Sequence, residues 1–342
     1  MAIPVIFRDN RDFANATESS TDLLYNVLQS EVLLSYVNNS MLAGMVNRMQ
    51  VPKGSLRVDV PLLHEIGSEY HEAGEEMLGL DVPVRTRSIY LDDRPRVSHI
   101  YLDDIDGVLS NIDARTKLAM RMGTELSQQA DKSVWRLLVA ASRTTTGSNS
   151  DDPFLGGGID GNGTAKIDAN FDDGDADAAQ RFLAALDEAN LLFAQRNVPM
   201  DERYAVIKPD LFFEVAKLET LTSGGTSWGA QIIGNRNYDT KNKQFTEAYS
   251  QQEPLFYRGF KIFWSNLLVQ DDGSNDHANR NVDTTNSVGV IFQKEAIAFV
   301  EKLPLQFEKA RVATRGADFM SARTLIGGGT IRPEACIELA VA

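Results

Sequence analysis

A predicted β-hairpin over residues 55–102 constrains the fold of this chain more than any other feature. Leu56, Val58 and Val60 occupy every second position of its first arm, which is typical of a half-buried strand. A segment rich in Gly and Glu follows at residues 64–81, and the return arm DVPVRTRSIYLDDRPRVSHIYL has strand-like composition. Nothing in this long element is typical of a catalytic site.

The length of the hairpin predicts contact with another subunit. A compact globule of 342 residues has a radius of gyration of about 20 Å, whereas strand arms of about 15 residues reach about 50 Å. A lone two-stranded ribbon is marginally stable in water. The apolar residues of the hairpin must be covered by other residues, and we expect its own domain to cover only those at the base. These apolar residues are Val58, Val60, Leu62, Ile66 and Met77.

The hairpin also carries opposite charges on its two arms. The first arm and tip are acidic, and the return arm contains Arg85, Arg87, Arg94 and Arg96. These charges can pair within the hairpin or across a subunit boundary, and both interpretations stay open. The residues predicted to contact a neighbouring subunit are Glu65, Glu69, Tyr70, Glu72, Glu75, Glu76, Met77, Arg85 and Arg87.

The rest of the chain predicts an α+β fold. Apolar residues at three-four spacing predict one helix from Asp113 to Ser142, about 45 Å long, which we call the spine helix. Residues 20–49 predict an earlier helical segment interrupted near residues 38–40. Further helices and strands follow, and the chain is expected to end in a strand, a turn at GGGTIRP and a last strand. No βαβ series or internal repeat indicates a doubly wound sheet or a barrel.

Composition excludes several classes of function. A net charge of −14 repels the phosphates of nucleic acid, which argues against general DNA binding and favours solubility. The single cysteine, Cys336, leaves no internal disulfide and lies in an apolar run typical of a core. No stretch approaches the roughly 18 apolar residues of a membrane helix, and the N-terminus does not resemble a signal peptide. We therefore expect a cytoplasmic protein without a membrane partner.

Motifs for nucleotide binding and acid–base catalysis are weak. Gly156, Gly158 and Gly161 have dinucleotide-loop spacing, but no clear strand precedes them and no helix follows, so a flexible loop is the better interpretation. The histidines show no metal-binding spacing and are His64, His71, His99 and His277.

A calcium loop is likewise incomplete. Asp168, Asn170 and Asp172 match the first three oxygen positions of an EF-hand, but Gly174 comes one place late and Ala179 replaces the bidentate Glu. A loop and helix cap explain these residues better. We predict no catalytic residue, cofactor or metal, and hence no enzyme.

The order of the elements resembles the major capsid proteins of tailed bacteriophages, whose fold is named after phage Hong Kong ninety-seven. The similarity is strongest to the short-tailed, T-seven-like podovirus proteins and covers nearly the whole chain. It is carried by SEVLLSYVNNS, KGSLRVDVP, IYLDDIDGVLSNIDARTKLAMRMGTELSQQADKSVWRLL, RNVPMDERYAVIKPDLFFEVAK and LQFEKARVATRGADFMSARTLIGGGTIRPEACIELAVA.

This resemblance implies a domain organisation. Residues 1–50 correspond to an N-terminal arm and residues 51–103 to the extended hairpin, or E-loop. Residues 104–146 and 297–342 correspond to a peripheral P-domain with the spine helix and long strands. Residues 147–296 correspond to a mixed α/β axial A-domain.

The resemblance also implies a function and partners. Copies of the chain are expected to form hexamers and pentamers of an icosahedral virion capsid enclosing double-stranded DNA without specific binding. A separate scaffolding protein during assembly in the host bacterial cytoplasm, a portal at one vertex and expansion at maturation are also implied. The alternatives are an encapsulin-like cellular nanocompartment and a carbohydrate- or cation-binding enzyme using the Asp-rich loops.

Overall fold

The structure is a computed structural model. It describes residues 29–36, 40–63, 70, 84–103, 114–144, 166–169, 171, 177–221, 238–239, 244–245, 255–272, 280–312, 314 and 316–341. Within these ranges, no helix is both long and apolar enough to cross a membrane.

The chain divides into two compact units, each built from three stretches. The first comprises Met1–Met41, Leu91–Asp131 and Glu301–Ile326, and the second comprises Leu42–Tyr90, Lys132–Val300 and Gly327–Ala342. The boundary passes through the spine helix and through strands β12 (Ile297–Val312) and β13 (Ala317–Thr330). These two strands are the middle of a four-stranded sheet that β1 (Asn47–Gln50) and β4 (Arg96–Asp103) complete, in the order β1-β12-β13-β4.

In the first unit, helical residues 29–36 and the first half of the spine helix pack on β4, β12 and β13. A Cβ at Gly123 of the spine helix would lie 2.4 Å from the Val32 carbonyl oxygen, so only glycine permits this close helix crossing. Strand β4 pairs antiparallel with β13, from Arg96 opposite Thr324 to Asp103 opposite Ala317. The shared core contains Val32, Tyr36, Ala119, Met122, Leu126, Leu305, Phe307, Met320 and Ala322.

The spine helix spans Ala114–Ser142, which confirms the single helix predicted from periodicity. Its described part in the first unit has one buried stripe, with Met122 and Leu126 buried and Arg121 and Glu125 exposed. In the second unit every side chain from 133 to 139 is buried. The predicted single buried stripe therefore holds for the first part of the helix but not for the second.

The second unit is built on a mixed six-stranded sheet, in the order β5-β14-β11-β6-β10-β9. Its strands are β5 (Lys166–Asp168), β14 (Cys336–Ala340), β11 (Ser287–Gln293), β6 (Arg203–Ile207), β10 (Phe260–Trp264) and β9 (Leu255–Tyr257). The pairs β5/β14 and β6/β10 are parallel, and the others are antiparallel. The helix Pro209–Leu221 follows β6 in the chain, and β10, the parallel partner of β6, comes later.

Shorter elements complete the described chain. They are the helices Leu42–Met45 and Ala178–Gln195, the 3-10 turns Lys294–Ala296 and Pro333–Ala335, and a small pair formed by β7 (Tyr238–Asp239) and β8 (Gln244–Phe245). A two-stranded ladder pairs β2 (Arg57–Leu63) with β3 (Val84–Tyr90).

The hairpin prediction needs one correction. Strands β2 and β3 form the expected antiparallel ladder, but the second part of the predicted return arm is β4, which pairs with β13. Strand composition alone cannot distinguish these partners, because they lie far apart in the chain. The hairpin therefore leaves its ladder after Tyr90, and residues 96–103 belong to the four-stranded sheet.

The predicted turn at GGGTIRP is also wrong in position. Gly327, Gly328 and Gly329 lie inside β13, and the turn comes later, at Pro333–Ala335. A Cβ at Gly328 would lie 2.5 Å from the Leu137 side chain and 3.1 Å from the Ala298 carbonyl oxygen. This glycine therefore serves close packing of a strand against the spine helix instead of a turn.

Candidate inter-subunit surfaces

The β2–β3 ladder has two chemically different faces. Its pairing runs from Arg57 opposite Tyr90 to Leu63 opposite Val84. On one face, Val58 and Val60 are half-buried. On the other, the side chains of Arg57 and Asp59 form an ion pair at 3.3 Å and are about half exposed. Alternation in the sequence thus produces a polar face and an incompletely covered apolar face.

Ile89 and Arg87, in the half of this ladder that begins at Arg57 and Tyr90, anchor it to the rest of the second unit. Ile89, opposite Val58, is 2% exposed, and its side chain lies 3.3 Å from the position that a Cβ on Gly329 would take. The guanidinium Nη1 of Arg87 donates to the carbonyl oxygen of Ile331 at 2.7 Å. Both contacts reach the end of β13 and the residue that follows it, so they attach the ladder to the part of the second unit that contains these residues.

The polar face of the ladder is held by local bonds. The Ser88 hydroxyl donates to the Asp59 carboxylate at 2.5 Å. A hydrogen bond to Tyr90 and then the charge of Asp59 raise the pKa of Arg57. Because these groups are exposed, they order the face without contributing much stability.

A second candidate surface lies on the first unit, and we call it the aromatic face. It consists of Val97, His99 and Tyr101 on β4 with Phe319 on β13. Val97 is 49% exposed and Tyr101 is 45% exposed. The rings of Tyr101 and Phe319 are 4.8 Å apart between centroids, and His99 lies 6.0 Å from Phe319. Within the described residues, β4 is an edge strand of its sheet, so this apolar cluster borders an open sheet edge.

Sequence reasoning missed the aromatic face. A signal was present, because RVSHIYLD has apolar residues at both odd and even positions, and a strand with two apolar faces is covered on both sides. The even-numbered residues Ile100 and Leu102 pack on the core of the first unit. Val97 and Tyr101 on the opposite side remain exposed.

The predicted contact residues fall into three groups. Arg87 lies in β3 with the carbonyl bond given above, and Arg85 lies opposite Leu62 in the same ladder. Tyr70 is fully exposed. The others lie outside the described residues and are Glu65, Glu69, Glu72, Glu75, Glu76 and Met77. Inter-subunit contact by this set stays a prediction.

Among the residues considered for chemistry, the structure describes Cys336, Asp168 and His99. Cys336 is fully buried, its thiol donates to the Leu138 carbonyl oxygen at 3.2 Å, and burial raises the pKa of the thiol. Asp168 ends β5, whereas Asn170, Asp172 and the glycines of 156–161 lie outside the described residues. Among the residues that the structure describes, no group of three or more His, Cys, Asp or Glu could hold a metal ion.

The fold and its extended ladder define the class of the protein. A solved capsid structure of the cyanophage P-SCSP1u matches with a TM-score of 0.68 at 23% identity, covering 89% of this chain and 88% of that chain. The mature capsid protein of bacteriophage PhiM1 matches with a TM-score of 0.67 at 16% identity, covering 89% and 87%. The fold is therefore that of phage capsid proteins, as the sequence predicted.

The family is shown by sequence. The model of the Gp10A-like major capsid proteins matches residues 60–340, so the chain belongs to this family. The major capsid protein of Escherichia phage T7 is 21% identical over 322 residues, covering 92% of this chain and 90% of that protein. These matches confirm the predicted class, a structural phage capsid protein and not an enzyme.

Proposed function

We propose that copies of this chain assemble into hexamers and pentamers of an icosahedral shell around double-stranded DNA. Membership of a family of major capsid proteins supports the assembly of this chain with further copies of itself. A separate scaffolding protein, a portal at one vertex and assembly in the host cytoplasm belong to the same proposal. The net charge of −14 supports packaging of DNA without tight binding.

The observation that supports the role of the hairpin is an apolar row that its own subunit covers incompletely in the described part of the ladder. Ile89 is 2% exposed near the anchor, whereas Val58 and Val60 are only half-buried. An apolar row at the surface of a two-stranded ribbon gains stability when a second molecule covers it. We propose that residues 64–81 cross to a neighbouring copy and contribute to the shell instead of the free subunit.

The aromatic face is the receiving surface that we propose for this hairpin. Val97 and Tyr101 are exposed beside the partly buried Phe319, at a sheet edge that has no further strand among the described residues, and an extended segment can cover such a surface. In this scheme the part of residues 51–103 that precedes β4 acts as the E-loop of one copy. Residues 104–146 and 297–342, together with β4, act as the P-domain of the next copy, and residues 147–296 form the axial domain around each capsomer centre.

Electron microscopy of the purified protein tests the proposal. We expect capsomers, shells or aggregates in sedimentation at micromolar concentration, and closed particles in micrographs. A sharp monomer peak with a protease-resistant hairpin would contradict it. The contents of the particles separate a phage shell, which encloses DNA with its portal, from the encapsulin-like alternative, which encloses protein cargo.

Deleting Gly67 to Gly79 tests the hairpin separately. The far-ultraviolet circular dichroism should be unchanged, while closed particles fail to form or dissociate on mild heating. A matched control replaces the same residues with a Gly-Ser linker of equal length, which preserves reach and removes the side chains. Full-strength particles from the deletion variant would make the tip dispensable, and global unfolding would place it in the core of its own subunit.

A further inference from the structure

We propose that residues 196–202 form a rigid contact loop that seats Met200 against a neighbouring copy of the chain. This inference rests on the shell function proposed above. The contact loop joins the helix Ala178–Gln195 to β6 in the second unit. Its apex is Met200, which is 71% exposed, and both neighbours, Pro199 and Asp201, are exposed.

The contact loop begins with a fixed helix end. The N–H of Asn197 donates to the Ala194 carbonyl oxygen at 3.2 Å, and the N–H of Val198 donates to the Phe193 carbonyl oxygen at 2.9 Å. Asn197 has a φ of 53°. This is the Schellman arrangement, in which a left-handed residue, here the tolerated Asn, ends a helix. Val198 is 4% exposed, so the first part of the loop is pinned to the core.

A buried arginine then holds the middle of the contact loop. Arg203 is 2% exposed, and its guanidinium donates to the carbonyl oxygens of Pro199 at 2.8 Å and Val198 at 2.7 Å. A third bond, at 2.7 Å, goes to the side-chain oxygen of Asn190. The guanidinium also lies over the ring of Phe193 at 5.1 Å. Burial lowers the pKa of Arg203, yet its donors are directed at the backbone of this loop.

The loop ends in a conformation that its residue type disfavours. Glu202 has a φ of 54°, a left-handed value that Glu adopts rarely. Its carbonyl oxygen accepts from the Lys294 N–H at 3.2 Å, and its carboxylate pairs with the Lys294 ammonium at 2.8 Å. Backbone strain of this kind persists only where the surroundings impose it, and it clusters at binding and functional sites.

These restraints make the contact loop pre-organised for binding. One exposed apolar side chain needs no explanation by itself, but here the loop that presents it is held at its start, middle and end. Methionine is enriched in interface cores, and a rigid loop loses little conformational entropy on binding.

The occupant that fits is a second copy of this chain. The family assembles with itself, so another copy is the partner that every subunit meets. In a rotationally symmetric capsomer, the contacts between neighbours are heterologous, and the loop of one copy meets a different surface on the next. The charged Asp201 and the Glu202–Lys294 pair beside Met200 supply the polar rim that such an apolar contact requires.

A thiol probe at the apex gives the most direct test. Cys336 is fully buried and the pKa of its thiol is raised, so the native thiol should react slowly with a maleimide. In the variant Met200→Cys, the new exposed thiol is therefore the one that the maleimide modifies. We expect modification by a maleimide to be at least about tenfold slower in assembled particles than in dissociated subunits. Gln180→Cys, at the exposed start of the same helix, measures general shielding by the shell. The proposed contact would be contradicted if Met200→Cys reacted equally fast in particles and in dissociated subunits. It would also be contradicted if assembly protected this thiol no more than that of Gln180→Cys.

Charge substitution provides a second, independent measurement. Met200→Asp should raise the concentration needed for assembly at least about tenfold, with unchanged circular dichroism and unfolding temperature, because it places a charge in an apolar contact. Met200→Leu should assemble like the parent chain. Normal assembly of the Asp variant would contradict the inference alone. If the parent chain forms neither capsomers nor shells, the proposed function fails and the inference fails with it.

Discussion

The β2–β3 ladder and the six-stranded sheet belong to the same unit, yet they are stabilised in different ways. Every residue of β11 is buried, and the strand is paired on both sides, with β14 and β6. In residues 57–61 of β2, exposed side chains alternate with half-buried ones, and β3 is the one partner of β2 among the described strands. A strand buried on both faces is stable within the subunit. A ribbon whose apolar row is only partly covered gains stability when a second molecule covers that row.

The largest difference between the two regions should come from their ion pairs. Glu338 on β14 is fully buried and accepts two bonds from Arg143, at 2.7 Å and 2.6 Å, and one from Ser287. Glu338→Ala should lower the free energy of unfolding by about 3 kcal/mol, because Ser287 and the partly buried Arg143 lose their charged acceptor in the core. Asp59→Ala removes the exposed partner of Arg57 and should cost less than about 0.5 kcal/mol. Chemical denaturation of unassembled subunits measures both, and similar losses would erase the comparison.

Two matched valines sharpen the same comparison. Val290→Ala in β11 should destabilise the subunit by about 2 kcal/mol, because the removed methyls leave a cavity in a closed core. Val58→Ala in β2 should cost less than about 1 kcal/mol in the subunit, since Val58 is only half-buried. In thermal dissociation of particles we expect the opposite order. Relative to the stability that the subunit loses, Val58→Ala should lower the dissociation temperature more than Val290→Ala does. An unchanged dissociation temperature for that variant would count against cover by a neighbour.

The anchor of the ladder should have a smaller, local effect. Arg87→Met keeps the aliphatic stem but removes the bond to the Ile331 carbonyl oxygen, so the base of the hairpin should loosen by about 1 kcal/mol. Limited proteolysis should then cut the hairpin faster, with the unfolding temperature of the six-stranded sheet nearly unchanged. Equal proteolysis rates in both proteins would show that Ile89 anchors the base without Arg87.

Periodicity predicted the elements whose signal is local. The spine helix ends at Ser142 as expected. Its apolar stripe and its end are both signalled by residues close together in the sequence. The ladder of β2 with β3 was likewise predicted from alternation. The phage capsid fold followed from the order of the elements and from resemblance, not from any single motif.

Features set by distant contacts could not be predicted. The glycines of β13 resemble a turn until Leu137 and Ala298 are placed beside Gly328. The pairing of β4 with β13 joins residues that are more than two hundred positions apart. The aromatic face depends on which side of β4 is covered, and this is not a property of local spacing.

The smallest effect concerns pH and lies beside the anchor. Burial raises the pKa of Glu334, and Arg332 beside it lowers the pKa by a lesser amount. The folded state therefore holds this proton to a higher pH than the unfolded chain does. The protonated Glu334 therefore contributes its full stability below the pKa that this carboxyl group has in the unfolded chain. That contribution is lost as the pH rises through the pKa of the group in the folded state.

Glu334→Gln keeps a neutral side chain at every pH and retains an acceptor for the Arg332 bond. The loss of stability between about pH 4 and pH 7 should therefore shrink by less than about 1 kcal/mol. Denaturation at the two pH values measures this change. If the free energy of unfolding depended more strongly on pH in the variant than in the parent chain, the proposed direction of the Glu334 effect would be wrong.

Hydrogen exchange in free and assembled protein tests most directly whether the hairpin is stabilised by a neighbouring copy. The amides of Arg57–Leu63 and Val84–Tyr90 should exchange rapidly in the dissociated subunit and become strongly protected in the shell. The amides of Ser287–Gln293 should be protected equally in both states, because their cover lies within the subunit. Strong protection of the ladder in the free subunit, or none gained on assembly, would contradict the account.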